Sequence, residues 1–592
     1  MKRIHKHLYL FVLISAVLTN SFGQSNLSVD VSGAKTIINK EIFGGLMERL
    51  GRGVKGGIFV GTGSSVPNVN GIRKDIIDGL NECGFGALQW PGGCAAQGYN
   101  WNPPNPSDDL GTDRFMQLCS LTNCTPIITG KSNNTAAASN KAWVRYINDN
   151  PNHPDWTLKY FQLGNEVWGC GGNYGCWSNC SAPYKPHYDR NYDSLKVPVN
   201  NKPITTIAGT DGIWKFQQWL KDMLADNVNR IENIEIHDYI YFPDNVNHLN
   251  FDDNQYWEIV NSANEKQMRS RLDAIISILN QYDPQKRIKI WEGEWGNWLV
   301  DDGSDGWRQA GTLMDALCAG ETLNLFVRYA ERMMGAGLAQ VVNVIQSVMN
   351  TETTHGAMVK TPTFYVFKMY IPHHTDEAKA APFTLTSERV NNIPAVSAAA
   401  SVNKSGTVNV SLTNVDLRDS RTVNVTLTNA EGNFECTSAK VVTGPSKNSY
   451  NKYNAQETVN MQDLAASNYS KTGDKSFRVT LPPMSIAMLS FTSPTGVDFN
   501  NTVSNLNKRS AFKVGAGSNG SITVSSSVNT RTPVSISLYR LNGKTLLQNV
   551  DCTFESGNSS ITLGKNKLKK GVYIVKITGN DINLSKQVAV SR

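Results

Sequence analysis

The chain has 592 residues, of which 40% are hydrophobic and 18% are charged, and its formal net charge is +7. This length exceeds that of one typical domain, and the composition excludes a disordered or fibrous protein. The charge is uneven, with +9 on residues 496–592, +3 on residues 1–23 and −5 on residues 24–495. A mildly acidic main body argues against a nucleic-acid partner.

Residues 1–23 have the pattern of a secretory signal peptide. Lys2, Arg3 and Lys6 precede an apolar segment, residues 8–18, which is too short to span a bilayer. A membrane anchor is the alternative interpretation. No other run is long and apolar enough for a span. We therefore expect a secreted or cell-surface protein without a membrane span.

Short apolar runs, each followed by small or polar residues, recur between residues 41 and 378. They lie at 42–48, 86–93, 125–130, 160–166, 204–210, 234–240, 287–296 and 341–347. Helix-like stretches with apolar residues three and four apart separate them, for example 216–227 and 268–282. Strands alternating with helices predict an α/β fold, a (β/α)8 TIM barrel over residues 41–378. A doubly wound open sheet is the alternative, but no glycine-rich phosphate loop follows the first strand.

After residue 378 the helical spacing gives way to alternation of apolar and polar residues. Val408, Val410 and Leu412 are one example, and turn residues separate such runs. This pattern predicts an antiparallel β-sandwich over residues 379–495, and residues 24–40 are expected to add a strand to it. A linker at 496–512 then leads to a small all-β module at 513–592.

Three cysteines, Cys170, Cys176 and Cys180, lie within eleven residues of one another. A zinc site would need a fourth ligand and a recognisable spacing, so no metal is predicted. A local disulfide, for example between Cys176 and Cys180, and free or mixed thiols remain the alternatives, because an exported chain permits disulfides.

Several predicted strands end on polar or ionisable side chains. These are Glu48, Asn165, Glu166, His237, Tyr239, Glu292, Glu294 and Gln346. Chemistry in a (β/α)8 barrel takes place at the carboxyl ends of the strands, so these side chains are expected to converge on one pocket. Two carboxylates there suit a retaining glycosidase, with one as general acid/base and one as nucleophile. Metal binding is the alternative, but no HExxH-like spacing supports it.

The seventh predicted strand offers two candidate nucleophiles. Glu292 and Glu294 are two residues apart, which predicts that both point to the same face. Glu294 is preferred because it is nearer the end of the strand, and Glu292 would then lie deeper and need a buried partner. Among the aromatic residues near these strand ends, Trp101 and Trp298 are the preferred platforms for stacking on a sugar ring.

These residues give the chain a resemblance to glycoside hydrolase family 51, the α-L-arabinofuranosidases. The similar segments are IFGGLMERLGRGVKGGIF, QWPGGCAAQGYNW, LGNEVWGCGG, HDY, EWGNW, NVIQS and TPTFYVFKMY. The resemblance implies that Glu166 is the general acid/base and Glu294 the nucleophile. It also implies substrate-binding roles for a further set: Glu48, Cys94, Trp101, Asn165, His237, Tyr239, Trp298 and Gln346. Arg49, Lys55 and Gly293 depart from the family pattern, which usually has histidine, tyrosine and an acidic residue there.

The resemblance implies a retaining hydrolase that removes terminal α-L-arabinofuranosyl residues from arabinoxylan, arabinan or their oligosaccharides. It implies no cofactor, and because members are often hexameric or otherwise oligomeric it admits a homo-oligomer. The alternatives are an endo-β-1,4-glucanase or xyloglucanase on the same fold, and a secreted, non-catalytic carbohydrate-binding protein.

The last eighty residues resemble the C-terminal sorting domains of type IX secretion. LYRLNGKTLL, LKKGVYIVKI and the basic end of the chain carry this resemblance. It implies that the export machinery is a partner of the chain. A small carbohydrate-binding module is the alternative, but this stretch contains no tryptophan that could serve as a sugar platform.

Overall fold

The computed structural model describes most of the chain beyond residue 23. The described ranges are 24–102, 109–133, 135–168, 181–210, 217–240, 246–300, 307–493, 512–517, 521–528, 532–540, 546–555, 557–564, 568–569, 571–579 and 582–590. The expected signal peptide, most of the expected linker, and Cys170, Cys176 and Cys180 lie outside them. These residues form two compact units, one on each side of residue 495.

Eight parallel strands close into a barrel, which confirms the predicted fold class. In chain order they are Gly44–Leu46, Ala87–Trp90, Thr125–Gly130, Tyr160–Leu163, Thr205–Gly209, Asn233–Tyr239, Lys289–Gly296 and Met333–Leu338. Nearly every residue of these strands is buried, because side chains fill the barrel interior and helices cover its outside.

A helical segment follows each barrel strand. The helices are Lys74–Glu82, Gly111–Thr122, Ala136–Asn148, Ser181–Leu195, Gln217–Asn227, Asp253–Asn261 continuing through a π-helical turn (Ser262–Arg269) into Ser270–Tyr282, Leu313–Arg328 and Pro362–Tyr370. The predicted helix-like stretch 268–282 lies within this set, as does 216–227 from residue 217 onward. Leu313–Arg328 starts with a capping box between Thr312 and Asp315, which satisfies backbone N–H groups at its first turn.

The eighth barrel strand lies at Met333–Leu338, so its predicted position at 341–347 was wrong. Met333–Leu338 pairs with the seventh strand and with the first, which closes the barrel. Residues 341–347 are instead a buried irregular segment, in which the backbone N–H of Gln340 donates to the carbonyl of Gln346 at 2.7 Å. A short apolar run does not by itself distinguish a strand from another buried segment, and the true strand is rich in small residues of low strand propensity.

Two antiparallel-rich sheets form a sandwich that packs on the barrel. One sheet has the order Phe383–Thr386, Ser25–Asp30, Arg421–Thr428, Ser476–Leu481 and Tyr469–Gly473. The other has the order Thr36–Ile37, Lys379–Ala380, Val396–Val402, Val408–Asn414, Ser485–Thr492, Glu435–Val442 and Met461–Asp463. Ser25–Asp30 pairs in parallel with Arg421–Thr428, so the segment before the barrel contributes a strand to the sandwich.

Polar side chains join the sandwich to the barrel. Ser411 donates to Asn324 at 2.6 Å, and the Asn324 amide nitrogen lies 3.0 Å from the hydroxyl of Ser397. All three residues belong to this contact between helix Leu313–Arg328 and the second sheet. Strand Val408–Asn414, at the centre of the second sheet, is therefore buried on both faces. Its apolar residues still alternate with polar ones, as predicted.

The C-terminal unit consists of two small sheets. One contains Phe512–Gly517, Ser521–Val528 and Gly557–Leu563, and the other contains Leu546–Phe554, Thr532–Arg540, Gly571–Gly579 and Ile582–Val590. Their inward apolar residues share one core. Throughout the described part of the protein, no helix combines the length and the apolar character that a membrane span requires.

Candidate active site

Three ionisable side chains meet at the carboxyl ends of the barrel strands. Nδ1 of His237 lies 3.0 Å from Oε1 of Glu166 and 3.6 Å from Oε1 of Glu294. The histidine side chain is fully buried, whereas 26% of the Glu166 side chain and 7% of the Glu294 side chain are exposed. The sequence placed these three residues at the ends of the fourth, sixth and seventh strands, and the fold brings them into one cluster.

Glu294 is held by two polar neighbours besides His237. The Tyr239 hydroxyl donates to its Oε2 at 2.7 Å, and the Asn165 side chain also hydrogen-bonds to it. Burial raises the pKa of Glu294, while the charge of His237 and these two hydrogen bonds oppose that shift. The carboxylate thus has three neighbours that stabilise its charge, as a nucleophile needs.

Glu166 occupies a strained backbone conformation directly after the fourth strand. Its φ angle is 39°, in the left-handed region that non-glycine residues rarely adopt. Such strain tends to persist only where the surrounding structure enforces it, often at functional sites. The conformation directs the more exposed of the two candidate catalytic carboxylates toward the barrel mouth.

A β-bulge separates Glu292 from Glu294, so the expectation that both point to one face was wrong. Ile236 aligns with Glu292, but the next residue, His237, aligns with Glu294. The extra residue is Gly293, and it shifts Glu294 to the side of His237. A Cβ atom on Gly293 would lie 2.8 Å from Nε2 of His237, which accounts for a glycine at this position.

Glu292 consequently faces away from the catalytic cluster. Its side chain is fully buried, and neither carboxylate oxygen has a hydrogen-bond partner among the described residues. Burial raises its pKa well above the ordinary value.

Glu48 reaches the same cluster from the end of the first strand. Its Oε2 accepts a hydrogen bond of 2.8 Å from the Gln340 amide, and its backbone N–H donates to Oε1 of Gln340. Gly93 has a φ of 57°, and a Cβ there would lie 1.8 Å from Oε1 of Glu48, so only glycine fits against this carboxyl group. Sequence reasoning missed Gln340, which comes two residues after the true eighth strand.

The carboxyl group of Glu48 predicts a measurable pH dependence of stability. Burial and the negative charge of Glu294 raise its pKa to about 8 from the ordinary 4.5. Because the folded state binds this proton more tightly than the unfolded chain, the contribution to stability is complete below pH 4.5 and is lost as the pH rises through about 8. The amide of Glu48→Gln carries no charge at any pH, so the Tm of this variant should fall less between pH 5 and pH 8 than the Tm of wild type.

A matched control has the opposite sign. Lys360 and Lys368 form ion pairs with Glu82 at 2.6 and 2.8 Å, and their hydrogen bonds lower the pKa of that carboxyl group against the effect of burial. Glu82→Gln should lower Tm more at pH 8 than at pH 4. Equal Tm losses in wild type and Glu48→Gln between pH 5 and 8 would contradict the assignment.

Aromatic side chains flank the cluster. The rings of Trp298 and Tyr239 pack edge-on with their centroids 4.9 Å apart, and the rings of Trp307 and Trp298 have a centroid distance of 5.2 Å. Trp307, which the sequence analysis did not single out, is 38% exposed. Trp168 packs edge-on against His237 at 5.5 Å and is buried.

Three of the expected substrate-binding residues have other surroundings. Gln346 is fully buried, with its amide donating to Asp315 and Thr363 and its Oε1 accepting from the backbone N–H of Asn297, so its expected sugar contact stays a prediction. Cys94 is an exposed residue in a disulfide bond. Trp101 stacks on Trp143 at 5.8 Å and donates to Ser139.

Arg49 lies beside Glu48 in sequence and departs from the pattern of the resembling family. Its guanidinium forms a 2.9 Å ion pair with the buried Asp109, although 46% of its own side chain is exposed. Residues 103–108 and 169–180 lie outside the described residues. Arg49 therefore presents a partly exposed positive charge close to the cluster.

The cluster suits acid–base chemistry better than cation binding. One nitrogen or oxygen atom of each of Glu166, His237 and Glu294 lies within 4.8 Å of the others, close enough to surround a cation. However, Nδ1 of His237 and Oε1 of Glu166 are at hydrogen-bonding distance, so a proton lies between them.

Comparisons with known proteins point to one family. Residues 293–485 match the family model of the α-L-arabinofuranosidase C-terminal domain, and residues 518–591 match that of a secretion system C-terminal sorting domain. The chain is 30% identical over 525 residues to an intracellular exo-α-L-arabinofuranosidase of Bacteroides ovatus, covering 81% of this chain and 97% of that protein. It is 26% identical to α-L-arabinofuranosidase C of Emericella nidulans, covering 64% of this chain and 82% of that protein.

Solved structures give the same picture. The family 51 arabinofuranosidase of Xanthomonas axonopodis pv. citri superposes with a TM-score of 0.72 at 27% identity, covering 79% of this chain and all of that one. A family 44 xyloglucanase of Paenibacillus polymyxa, at 11% identity and a TM-score of 0.51, shares the fold alone.

Proposed function

The chain belongs to the α-L-arabinofuranosidases of glycoside hydrolase family 51, and from this premise we propose that it removes terminal α-L-arabinofuranosyl residues with retention of configuration. The substrates are arabinofuranosyl side chains of plant polysaccharides such as arabinoxylan and arabinan, or of their oligosaccharides. In this proposal Glu166 is the general acid/base and Glu294 is the nucleophile.

The separation of the two carboxyl groups carries this proposal. An oxygen of Glu166 and an oxygen of Glu294 lie within 4.8 Å of each other. Retaining glycosidases place their carboxyl groups about 5–5.5 Å apart, whereas inverting enzymes need about 6.5–9.5 Å to admit a water molecule. The close spacing supports direct attack by one carboxylate and therefore a double displacement.

In the first step, Glu294 attacks the anomeric carbon and the glycosidic bond breaks. Glu166 gives its proton to the departing oxygen, and the arabinosyl group becomes an ester of Glu294. Tyr239 and Asn165, which hydrogen-bond to Glu294, keep its reactive oxygen oriented before attack. The released product is the polysaccharide or alcohol that carried the sugar.

In the second step, Glu166 removes a proton from water, and the resulting hydroxide attacks the anomeric carbon of the ester. Glu294 leaves as a carboxylate, and Glu166 regains the proton that it had given away. Two inversions give net retention. We assign hydrogen bonds with sugar hydroxyls to Glu48 and Gln340, which follow the first and the eighth strand.

The C-terminal unit supports action outside the cytoplasm. The match of residues 518–591 to a sorting domain indicates secretion or placement at the cell surface. We assign the export step to type IX machinery, as the resemblance of this segment implies. A polymeric substrate outside the cell is consistent with that location.

The direct test is release of 4-nitrophenol from 4-nitrophenyl α-L-arabinofuranoside, measured beside xyloglucan and a mixed-linkage β-glucan. The proposal expects rapid release from the arabinofuranoside and no cleavage of either glucan. Cleavage of a glucan without release of arabinose would replace it with an endo-glucanase. Inertness toward all three substrates would favour a non-catalytic carbohydrate-binding protein.

The exposed tryptophan beside Trp298 predicts a contribution to the binding of larger substrates. Trp307→Ala should raise KM for arabino-oligosaccharides by about 3- to 10-fold, the scale of one aromatic contact, and leave kcat unchanged. Its effect on 4-nitrophenyl α-L-arabinofuranoside should be smaller. Trp257→Ala serves as the control, since that half-buried residue packs against Tyr256, away from the cluster. Equal KM values in wild type and Trp307→Ala would remove this residue from the substrate path.

A further inference from the structure

A chain of hydrogen bonds crosses the interior of the barrel and ends on His237. The indole N–H of Trp291 donates to Oε1 of Gln89 at 3.0 Å, and the Gln89 amide nitrogen donates to Oε1 of Gln162 at 2.9 Å. The Gln162 amide nitrogen donates in turn to Oε1 of Glu235 at 2.5 Å, and Nε2 of His237 lies 2.7 Å from the same oxygen. All five side chains are fully buried.

The direction of this chain is fixed at its far end, because an indole N–H can only donate. Gln89 must accept from Trp291 with its oxygen, so it presents its nitrogen to Gln162. Gln162 accepts with its own oxygen and presents its nitrogen to Glu235. Oε1 of Glu235 therefore accepts from Gln162, and in the ionised carboxylate it also accepts a hydrogen from Nε2 of His237.

With Nε2 bound to Glu235, only Nδ1 of the ring faces the catalytic carboxylates. It lies 3.0 Å from Glu166 and 3.6 Å from Glu294, and both neighbours favour a hydrogen on Nδ1. Burial alone would lower the pKa of His237, but the charges of Glu294 and Glu235 raise it well above its ordinary value. The ring is therefore held as an imidazolium with a hydrogen on each nitrogen.

Glu235 keeps its acceptor role whether or not it is protonated. Burial raises its pKa to about 7, against the opposing effect of His237. We assign a proton taken up near that pH to Oε2, because Oε1 already accepts from Gln162 and faces the N–H of the His237 imidazolium. Oε1 continues to accept from Gln162 and His237 in either state.

We propose that Glu235 is a positioning residue for the hydrolysis, an inference that rests on the function proposed above. It holds His237 so that Nδ1 donates to Oε1 of Glu166. That oxygen is thereby occupied as an acceptor, and the transferable proton of Glu166 is confined to Oε2. The proton then has one defined position from which to reach the glycosidic oxygen.

The same arrangement serves both steps of the reaction. In the first step the proton on Oε2 of Glu166 passes to the glycosidic oxygen, and Nδ1 of His237 stabilises the carboxylate that remains. In the second step Oε2 takes a proton from the attacking water. His237 keeps both of its hydrogens throughout, so it orients the acid/base without itself exchanging a proton.

The ionisable groups that face His237 and its carboxylate partners come from several barrel strands. They are Glu48, Glu166, Glu235, Tyr239, Glu292 and Glu294, with Arg271 acting on Glu292. Among them Glu235 alone hydrogen-bonds to Nε2 of His237 in the described part of the chain. Replacement of Glu235 therefore removes the hydrogen bond that holds Nε2.

Two replacements of Glu235 distinguish the effect of its hydrogen-bond acceptor from the effect of its negative charge. Glu235→Gln keeps an oxygen that can accept from His237 but removes the charge, whereas Glu235→Leu removes both at similar size. With 4-nitrophenyl α-L-arabinofuranoside, we expect kcat to fall by about 10-fold in the first variant and about 100-fold in the second, with KM nearly unchanged. In both variants the alkaline limb of the kcat/KM profile should move to lower pH by about one unit or more, because His237 loses its proton more easily.

A second buried glutamate provides the matched control. Glu321 accepts hydrogen bonds from Ser397 and Asn264 where helix Leu313–Arg328 meets the sandwich. Glu321→Gln and Glu321→Leu should change Tm but not kcat or the pH profile. An unchanged alkaline limb in both Glu235 variants, with activity lost only in proportion to folded protein, would overturn the proposal in favour of a purely structural role.

The wild-type enzyme gives a readout that does not depend on the folding of a variant. In protein labelled with ¹⁵N-histidine, His237 should show two protonated ring nitrogens at pH 7, with its signals identified by their absence in His237→Asn. An unprotonated Nε2 or Nδ1 would overturn the proposal. This measurement also separates the two hypotheses, because absence of arabinofuranosidase activity with a doubly protonated His237 would count against the proposed function alone.

Discussion

Replacement of Glu294 by alanine is expected to lower kcat for 4-nitrophenyl α-L-arabinofuranoside by about 10⁴-fold or more, the scale of losing a covalent nucleophile. The variant retains Glu166 and His237, so acid assistance remains, but the carboxylate that forms the arabinosyl ester is gone. Added azide should restore part of the activity by attacking in place of Glu294. Because azide attacks only once, the product should be the β-L-arabinofuranosyl azide.

Glu292 provides the matched control on the same strand. It lies two residues earlier, carries the same carboxyl group, and is buried on the other face because of the bulge at Gly293. Glu292→Gln replaces this carboxyl group by an amide of the same shape on the face away from the cluster, so activity should remain close to that of wild type. An inactive Glu292→Gln beside an active Glu294→Ala would reverse the assignment.

Replacement of Glu166 by alanine should have an effect that depends on the leaving group. For natural arabino-oligosaccharides, whose leaving oxygen needs a proton, kcat should fall by about 10²- to 10⁴-fold, the contribution of general acid–base catalysis. For 2,4-dinitrophenyl α-L-arabinofuranoside, which leaves without a proton, the first step should stay fast. The arabinosyl ester should then accumulate, visible as a burst of dinitrophenol or as a mass increase of the protein.

Azide distinguishes the two glutamates by stereochemistry. In Glu166→Ala it should attack the arabinosyl ester and give the α-L-arabinofuranosyl azide, opposite to the product of Glu294→Ala. The same azide anomer from both variants would contradict the division of roles. Loss of activity in Glu166→Ala that is equal for good and poor leaving groups would show that this residue is not the acid.

Much of the fold follows from the sequence because barrel strands are buried on both faces. Such strands appear as short apolar runs ending in polar residues, and seven of the eight were located in this way. The eighth, Met333–Leu338, contains Gly335 and Gly337, whose weak strand propensity concealed it beside the more apolar segment 341–347. Its place is set by pairing with the first and seventh strands, which is a tertiary effect.

The sequence predicted the candidate site wherever the position of a residue along its strand determines the direction in which its side chain points. Glu166, His237 and Glu294 end their strands and meet as expected. Alternation failed at the bulge of the seventh strand, which reverses the relation between Glu292 and Glu294. A local one-residue insertion of this kind leaves no periodic signal, although a glycine within a strand is a known indication of one.

Residues that act through others were beyond the sequence analysis. Glu235 lies in the middle of a buried strand, and only the contacts with Gln162 and His237 reveal its place. Gln340 contacts Glu48 from just after the neighbouring eighth strand and was hidden by the wrong predicted position of that strand. In each case the informative observation is a hydrogen bond between residues far apart in the chain.

The central claim is that Glu166 and Glu294 hydrolyse an α-L-arabinofuranoside by double displacement. The most direct test is ¹H NMR of the reaction of the wild-type protein with 4-nitrophenyl α-L-arabinofuranoside in the presence of methanol, because a methyl glycoside does not change its anomeric configuration after release. We predict methyl α-L-arabinofuranoside as the transfer product. Formation of the β-anomer, or no consumption of the arabinofuranoside at all, would contradict the account.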